Sequence, residues 1–571
     1  MGEHSASRLA SMCGKLVAAE FGQHRDAFRA ITHRAPQRFA KGQTRELWHD
    51  TVERIDLYRR SVDSAVARVG EQLKARRSDR RIWSAIKAVY SALIAEREDW
   101  ELAETFFNSV TRRIFATHGV DPRIEFIDSD FAAGLSRAYP TTHRTFAASF
   151  SVSDVIRRVL KAYRLSFDDE YDASDLIATR LQQRLAETGG LAHIERIEVF
   201  DAVFYRGERA HLITRVCSGL RVLPMVIVGR TTPEGPRIEA VLLHESDVSI
   251  LFSFTRAYFF VDIQRPGEAV AFLRSLLPRK RVAELYNAIG CDKHGKTEFY
   301  RDLRQVLRSS QARLDFAPGT AGLVMVTFAL PGYDAIFKVI RDRFSPPKVT
   351  NREKVMAKYR FVRRHDRAGR LVEAQDFQHL AFRRSRFTPE LLDELLTACG
   401  ESVVVDHQSV VLNHVYVERQ VTPLNLVLEH ASDADVERAL LDFGRAIKDL
   451  AYTNVFPGDL LTKNFGVTRN GRVVFYDYDE LVLLEECNFR RIPPPRTEED
   501  EFSAEPWYRV ADNDIFPEEF RTFMGIPRRW MSVFEAEHGD LFDAGYWKRL
   551  QASVTEGQGP EVQPFSHRCL L

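Results

Sequence analysis

The chain has 571 residues, too long for one ordinary core, so about two to four domains are expected. Its 81 basic and 80 acidic side chains nearly cancel, which excludes a chain-wide field that would draw nucleic acid or an anionic membrane surface. The six cysteines (Cys13, Cys217, Cys291, Cys399, Cys487, Cys569) form no C-x-x-C pair, which speaks against zinc and disulfide scaffolds and for reduced thiols in a cytosol.

The opening stretch MGEHSASRLASMCGKLVAAEF is interrupted by Arg8 and Lys15, so it does not read as a signal peptide. It begins Met-Gly, but Ala6 stands where a myristoylation signal needs Ser or Thr. No window approaches about eighteen uninterrupted apolar residues; even LRVLPMVIVGR contains Arg221 and closes on Arg230. A soluble protein is expected.

The first half reads as mainly helical. Ile82, Ile86, Val89, Leu93, Phe106, Val110 and Ile114 recur at three- and four-residue steps, broken around Glu96–Glu101, which predicts one long helix or two. In SDLIATRLQQRLAETGG, Ser174 is the expected N-cap and Gly189-Gly190 the stop. From Ile194 to about Glu245, short β-branched and aromatic runs alternate with turn residues and predict an antiparallel sheet. Helical periodicity returns in GEAVAFLRSLLP and KRVAELYNAIG, and the domain boundary is expected near Leu307–Asp315.

Beyond it come a glycine loop with a strand (APGTAGLVMVTFALPG), a strand carrying Lys338 (AIFKVI), a helical region and two strands (SVVVD and SVVLNHVYVE). A helix from about Asp433 follows, with Val436, Leu440, Phe443, Ile447 and Leu450 on one stripe. Next stands NVFPGDLLTKNFGVTRNGRVVFYDYDE, in which Asp459 is followed five residues on by Asn464, and Asn464 thirteen residues on by Asp477.

Phosphoryl transfer from a nucleotide needs the phosphates, a metal and the attacking hydroxyl held in line. A protein kinase meets this with a loop Asp, an Asn five residues later on a metal, a second metal-binding Asp after the next strand and a strand lysine on the phosphates. Asp459, Asn464, Asp477 and Lys338 can fill those places. Taken singly, each has a plainer reading: Pro457-Gly458-Asp459 is also turn chemistry, YDYDE a strand end with solvated acids, and Lys338 a strand-end lysine reaching water. The order of all four, behind a glycine loop, favours the kinase arrangement. Two departures stand out: Pro-Gly-Asp replaces His-Arg-Asp, and Asp477-Tyr478-Asp479 replaces Asp-Phe-Gly. The extra acid, Asp479, is a candidate for sharing the metal or positioning a water. Ala317–Leu323 matches neither common phosphate-loop formula but offers backbone amides, and Val415–Leu426 occupies the place of the connector between lobes.

FPGDLLTKNFGVTRNGRVVFYDYDE, with ELYNAIGCDKHGKTEFYRDL, FRRIPPPR and DNDIFPEEF, resembles the bacterial isocitrate dehydrogenase kinase/phosphatase family over nearly the full length. The resemblance implies an α+β chain: a mainly helical regulatory domain (1–310, with a β-rich insert at about 194–245) that binds AMP, then a protein-kinase-like bilobal domain (311–571). It implies phosphorylation and dephosphorylation of a serine of NADP-dependent isocitrate dehydrogenase, directing carbon between the tricarboxylic acid cycle and the glyoxylate bypass. ATP (ADP in the phosphatase direction) and Mg²⁺ or Mn²⁺ are the implied cofactors, and the cytoplasm the implied location. By position, ATP binding falls on Ala317, Pro318, Gly319, Thr320, Ala321, Gly322, Leu323 and Lys338, the catalytic acid on Asp459, and the metal ligands on Asn464 and Asp477. The family's M-A-D-T-Q-E-F motif appears here as LVEAQDF, so its phosphatase Asp becomes Glu373, one methylene longer. Asp376 is a nearby compensating candidate, set on an expected helix surface. No nucleic acid or membrane partner is expected, and homodimerisation stays open. Competing readings are a kinase-like small-molecule phosphotransferase and a non-catalytic nucleotide-binding regulator.

Overall fold

The computed structural model describes residues 5–127, 142–148, 151–163, 170–188, 194–253, 258–319, 322–344, 348, 350–494, 497, 507–557, 559, 562 and 565–571. The chain forms two compact units, Met1–Ser310 with Phe565–Leu571, and Gln311–Pro564. The first unit therefore takes in the last seven residues, which the expected boundaries had assigned to the catalytic part.

In the first unit, helices Ala6–Thr32, Thr44–Leu73, Arg80–Ile94 and Trp100–Phe115 bury Phe21, Trp83, Tyr90, Phe106 and Phe107. The periodic run at 82–114 is thus two helices. Asp99 accepts from the Arg97 guanidinium at 2.8 Å and from Arg25 at 2.9 Å, so the break carries a buried ion pair instead of a helical turn. The sheet is antiparallel, with strands His143–Ala147, Arg196–Phe200, Arg209–Ser218, Arg221–Thr232 and Gly235–Leu242 side by side and Phe204–Arg206 pairing with the third. Strand His143–Ala147 extends it upstream of the expected limits. Ser174 does not cap its helix. Glu170–Glu187 begins four residues earlier, and Ser174 lies buried on the face that carries Ile177 and Leu181 against the sheet. Gly189-Gly190 falls outside the described residues. The C-terminal residues extend the sheet edge: Leu570 bridges Ala240, and the Leu571 N–H donates to the Glu239 carbonyl at 3.0 Å.

In the second unit, a sheet runs in the order Ala374–Arg383, Ser409–Arg419, Ala335–Ile340, Met325–Ala329, Asp315–Phe316, with Val403–Val405 beside Ser409–Arg419. Helix Asp433–Tyr452 starts at Ser432, whose hydroxyl accepts the Asp435 N–H. Its stripe Val436, Leu440, Phe443, Ile447 and Leu450 is buried, as the three- and four-residue spacing requires. The expected helical region between the lysine strand and SVVVD holds helices Arg352–His365 and Pro389–Ala398, but Ala374–Arg383 between them is a strand. Asp376 accordingly sits on an exposed strand face, 3.3 Å from His414 Nε2.

Candidate active site

Strand Ala335–Ile340 sets Lys338 opposite Tyr416 of the neighbouring strand Ser409–Arg419. The lysine is almost wholly buried, and its Nζ lies 2.6 Å from Glu418 Oε2 and donates to the Tyr476 carbonyl at 3.0 Å. Glu418 is two residues along from Tyr416, so the pair is a diagonal cross-strand contact within reach of long side chains. Burial raises the Glu418 carboxyl and the Lys338 charge opposes that shift. The Tyr359 hydroxyl, on helix Arg352–His365, donates to Glu418 Oε1 at 3.4 Å, and its ring stacks on Tyr416 at 3.8 Å. The ammonium is therefore held in one place, immediately before Asp477.

The segment carrying Asp459 and Asn464 is tied to the same strand. Phe465 pairs with Phe475 in register, and the Tyr476 N–H donates to the Asn464 carbonyl at 3.1 Å. The Leu461 N–H donates to Asp459 Oδ1 at 3.1 Å, and Asn464 Nδ2 reaches the Asp459 carbonyl at 3.5 Å. Gly458 adopts φ +77°, and a Cβ there would overlap the Glu480 carbonyl, so only glycine lets the loop pass this close. Thus Asp459, Asn464, Asp477 and Lys338 converge.

Charge in this cluster is unevenly balanced. Burial raises the Asp477 carboxyl, Lys338 and Lys348 pull it back, and Asp459 raises it again. Asp479 is pushed up to about 6, first by burial and then by Asp477. Lys348 lies 2.6 Å from Glu480 and 3.9 Å from Asp479; burial lowers its ammonium, but Glu480 and the neighbouring acids outweigh this and hold it above the usual lysine range. Carboxylates crowded beside an amide oxygen form a hard oxygen donor set, which suits Mg²⁺ or Mn²⁺. Among the described residues no group of three His, Cys, Asp or Glu has metal-ligand geometry.

Of the loop Ala317–Leu323, residues Thr320 and Ala321 lie outside the described residues. Gly319 has φ +112°, and a Cβ built on it would come 3.5 Å from Pro423, so the loop lies against the connector. The Ala317 N–H is taken by the Thr327 carbonyl at 3.1 Å, and Leu323 is exposed. The chain ahead of Glu373 joins the site from another direction. Leu371 bridges Phe475 in parallel, the Arg370 carbonyl accepts the Phe475 N–H at 2.6 Å, and the Val372 N–H donates to the Phe475 carbonyl at 3.0 Å. The Tyr478 hydroxyl donates to the Val372 carbonyl. Glu373, half-buried, follows directly.

Glu418, Lys348 and the Tyr476 carbonyl were not foreseen from sequence. Glu418 carries the one available signal: an acid among the β-branched and aromatic residues of VYVE, on the strand beside the lysine strand. Such a residue needs a buried partner.

Residues 312–567 match the kinase domain, and residues 14–311 the regulatory domain, of isocitrate dehydrogenase kinase/phosphatase (AceK). The chain is 45% identical to the isocitrate dehydrogenase kinase/phosphatase of Anaeromyxobacter sp. (strain Fw109-5) over 551 residues, 96% of each chain. It is 43% identical to that of Anaeromyxobacter dehalogenans (strain 2CP-C) over 570 residues, covering 98% of this chain and 97% of the relative. With that of Xanthomonas euvesicatoria pv. vesicatoria (strain 85-10) it shares 41% identity over 565 residues, again 98% and 97%. A chain matched along both domains, and at this identity over nearly its whole length, belongs to the isocitrate dehydrogenase kinase/phosphatase family.

Proposed function

We propose that this chain phosphorylates, and thereby inactivates, a serine of NADP-dependent isocitrate dehydrogenase and also removes that phosphate, setting flux between the tricarboxylic acid cycle and the glyoxylate bypass. The observation that carries this reading is the seating of Lys338 on Glu418 and the Tyr476 carbonyl, one residue before Asp477 and beside the loop of Asp459 and Asn464.

ATP supplies the phosphoryl group and a divalent cation supplies positive charge against its oxygens. Asn464 and Asp477 would hold that cation, with Lys338 on the phosphates and the backbone of Ala317–Leu323 along them. Asp459 Oδ1 is fixed by the Leu461 N–H, which leaves Oδ2 to take the proton of the serine hydroxyl as its oxygen attacks. In the reverse reaction Glu373 and Asp479 are the acids available. The Asp479 carboxyl, near 6, exchanges its proton close to neutrality and suits the positioning of a water. AMP as an effector of the first unit, ADP in the phosphatase direction and a cytoplasmic location complete the reading. Among the described residues no helix is long and apolar enough to cross a membrane.

The test mixes the purified chain with NADP-dependent isocitrate dehydrogenase, Mg²⁺ and labelled ATP, then removes ATP and adds ADP. Label gained with loss of dehydrogenase activity, then released with its return, is the expected result. Label that is gained and never released restricts the chain to the kinase reaction, and no label at all overturns the proposal.

A further inference from the structure

Between the two acids of Asp477-Tyr478-Asp479 stands a tyrosine, where protein kinases carry the phenylalanine of Asp-Phe-Gly. The two side chains differ by one hydroxyl. Tyr478 is 1% exposed, and its ring packs edge-on against Tyr359 at 5.0 Å and lies 6.2 Å from Phe475. A phenylalanine would make those ring contacts equally well. The hydroxyl adds what a phenylalanine cannot supply, a hydrogen bond donated to the Val372 carbonyl.

Both backbone polar groups of the buried Val372 are taken by the segment that carries Asp477. Its N–H donates to the Phe475 carbonyl at 3.0 Å, and its carbonyl accepts from Tyr478. The pairing of Leu371 with Phe475 is an isolated bridge with no continuing ladder. The Val372 carbonyl, which burial obliges to find a donor, therefore takes it from a side chain. On the far side of Glu373, Ala374 pairs with Glu418, whose carboxylate holds Lys338 at 2.6 Å. Glu373 is thus the single residue between two fixed points, one on the turn of Asp477 and Asp479, the other on the strand that braces Lys338. The phenol oxygen closes the first of them.

The groups assigned to phosphoryl transfer take their supports elsewhere. Lys338 is held by Glu418 and the Tyr476 carbonyl, and Asp459 by the Leu461 N–H. We propose that Tyr478 is a positioning residue for phosphate release: through the Val372 carbonyl its hydroxyl fixes the backbone of Glu373 relative to Asp477 and Asp479, while its ring alone suffices for transfer. This rests on the release half of the proposed function, in which Glu373 is an acid of that step. It also accounts for a tyrosine at a place where an enzyme that only transfers needs no hydroxyl.

The test measures transfer of label to NADP-dependent isocitrate dehydrogenase, and ADP-dependent release from it, for the parent chain, Tyr478→Phe, Glu373→Ala and the double variant, well below each melting transition. In Tyr478→Phe, kcat for release is expected to fall about 10-fold or more with KM for the phosphorylated dehydrogenase unchanged, and transfer to stay within about twofold. The double variant is expected to release no more slowly than Glu373→Ala alone, because the hydroxyl acts through that residue. Tyr478→p-aminophenylalanine, which donates from the same ring position, should restore release. Should Tyr478→Phe fold poorly, Tyr478→p-methylphenylalanine fills the hydroxyl's volume without a donor and is expected to show the same loss. Release unaltered in the variants without a donor, release and transfer lowered by one factor, or losses that add in the double variant overturn the proposal while the parent's own release stands. A parent chain that never releases label, or a Glu373→Ala variant that releases it normally, overturns the underlying assignment of Glu373 and this proposal with it.

Discussion

Lys338 and Glu418 meet at 2.6 Å across neighbouring strands, and the Tyr359 hydroxyl fixes the other carboxylate oxygen from a helix. The strand lysine of a protein kinase takes its glutamate from a helix. Here the acid comes from the strand leading into the connector, and the helix contributes a tyrosine behind it. The lysine's position is thereby tied to the sheet itself. Glu418→Gln keeps the shape but removes the charge, leaving an ammonium buried on one carbonyl. Phosphoryl transfer is expected to fall by about 10²-fold through misplacement of Lys338, and stability by about 2–4 kcal/mol. Steady-state kinetics in ATP and a urea midpoint check the two effects separately.

Gly458 tests the loop in another way. Its φ of +77° and the Glu480 carbonyl against its α-carbon leave no space for a methyl group. Gly458→Ala is expected to destabilise the second unit by about 1–3 kcal/mol and to move Asp459, the next residue, off its line. Label transfer should then drop by about 10²-fold while circular dichroism stays that of a folded chain. A variant with full transfer would show that Asp459 needs no such placement.

Much of this site is legible in the sequence because its parts are local. Asp459, Asn464 and Asp477 lie on one hairpin-like excursion, and the stripe of Asp433–Tyr452 follows the helical period. Less legible are contacts that no period announces. Strand Ala374–Arg383 is hard to read from sequence because His379, at φ +53°, interrupts the two-residue alternation of Phe377 with Leu380 and Phe382, although the register is the same on either side of it (Gln378↔His414, Leu380↔Leu412). Ser174 has the right residue type for a cap, but the helix begins at Glu170 and places Ser174 on its buried face. The partnership of Lys338 with Glu418 joins residues eighty positions apart and depends on strand order, which composition does not encode.

Glu101 predicts a pH dependence of stability in the first unit. Its carboxyl is buried and accepts the Gly267 N–H at 2.9 Å, at the start of helix Pro266–Leu276, yet burial dominates and pushes it up to about 7. The unfolded chain titrates this group near its ordinary value of 4.5. Between those values the folded state binds more protons than the unfolded one, so stability falls as pH rises. The contribution is fully present below pH 4.5 and lost above pH 7, and its full size is about 3 kcal/mol. Glu101→Gln should remove this slope, leaving the variant as stable as the parent near pH 5 and more stable near pH 8. Melting temperatures at the two pH values decide it, and an unchanged slope would place the titrating group elsewhere.

Arg370 joins the segment before Glu373 to the core of the second unit. Its guanidinium donates to Asp442 at 2.7 and 2.9 Å, to Asp449 at 2.7 Å and to the Val473 carbonyl at 2.8 Å, while its own carbonyl accepts the Phe475 N–H. One residue thus fixes the start of the strand that leads to Asp477 and the chain that leads to Glu373. Arg370→Met strands two carboxylates and is expected to cost about 3–5 kcal/mol. Arg370→Lys keeps a charge but cannot span both acids, so it should fold with a smaller loss and a looser junction. Because Lys338 is held chiefly by Glu418, on a strand that Arg370 does not touch, phosphate release from isocitrate dehydrogenase should fall more in Arg370→Lys than label transfer to it. Glu373→Ala should show the same asymmetry in stronger form without the stability loss, and Glu373→Asp should test whether the extra methylene limits the release step. If transfer and release fell together in Arg370→Lys while Glu373→Ala left both intact, the 370–373 segment would be a brace for the Asp477 strand and the acid of the release step would have to be sought in Asp479.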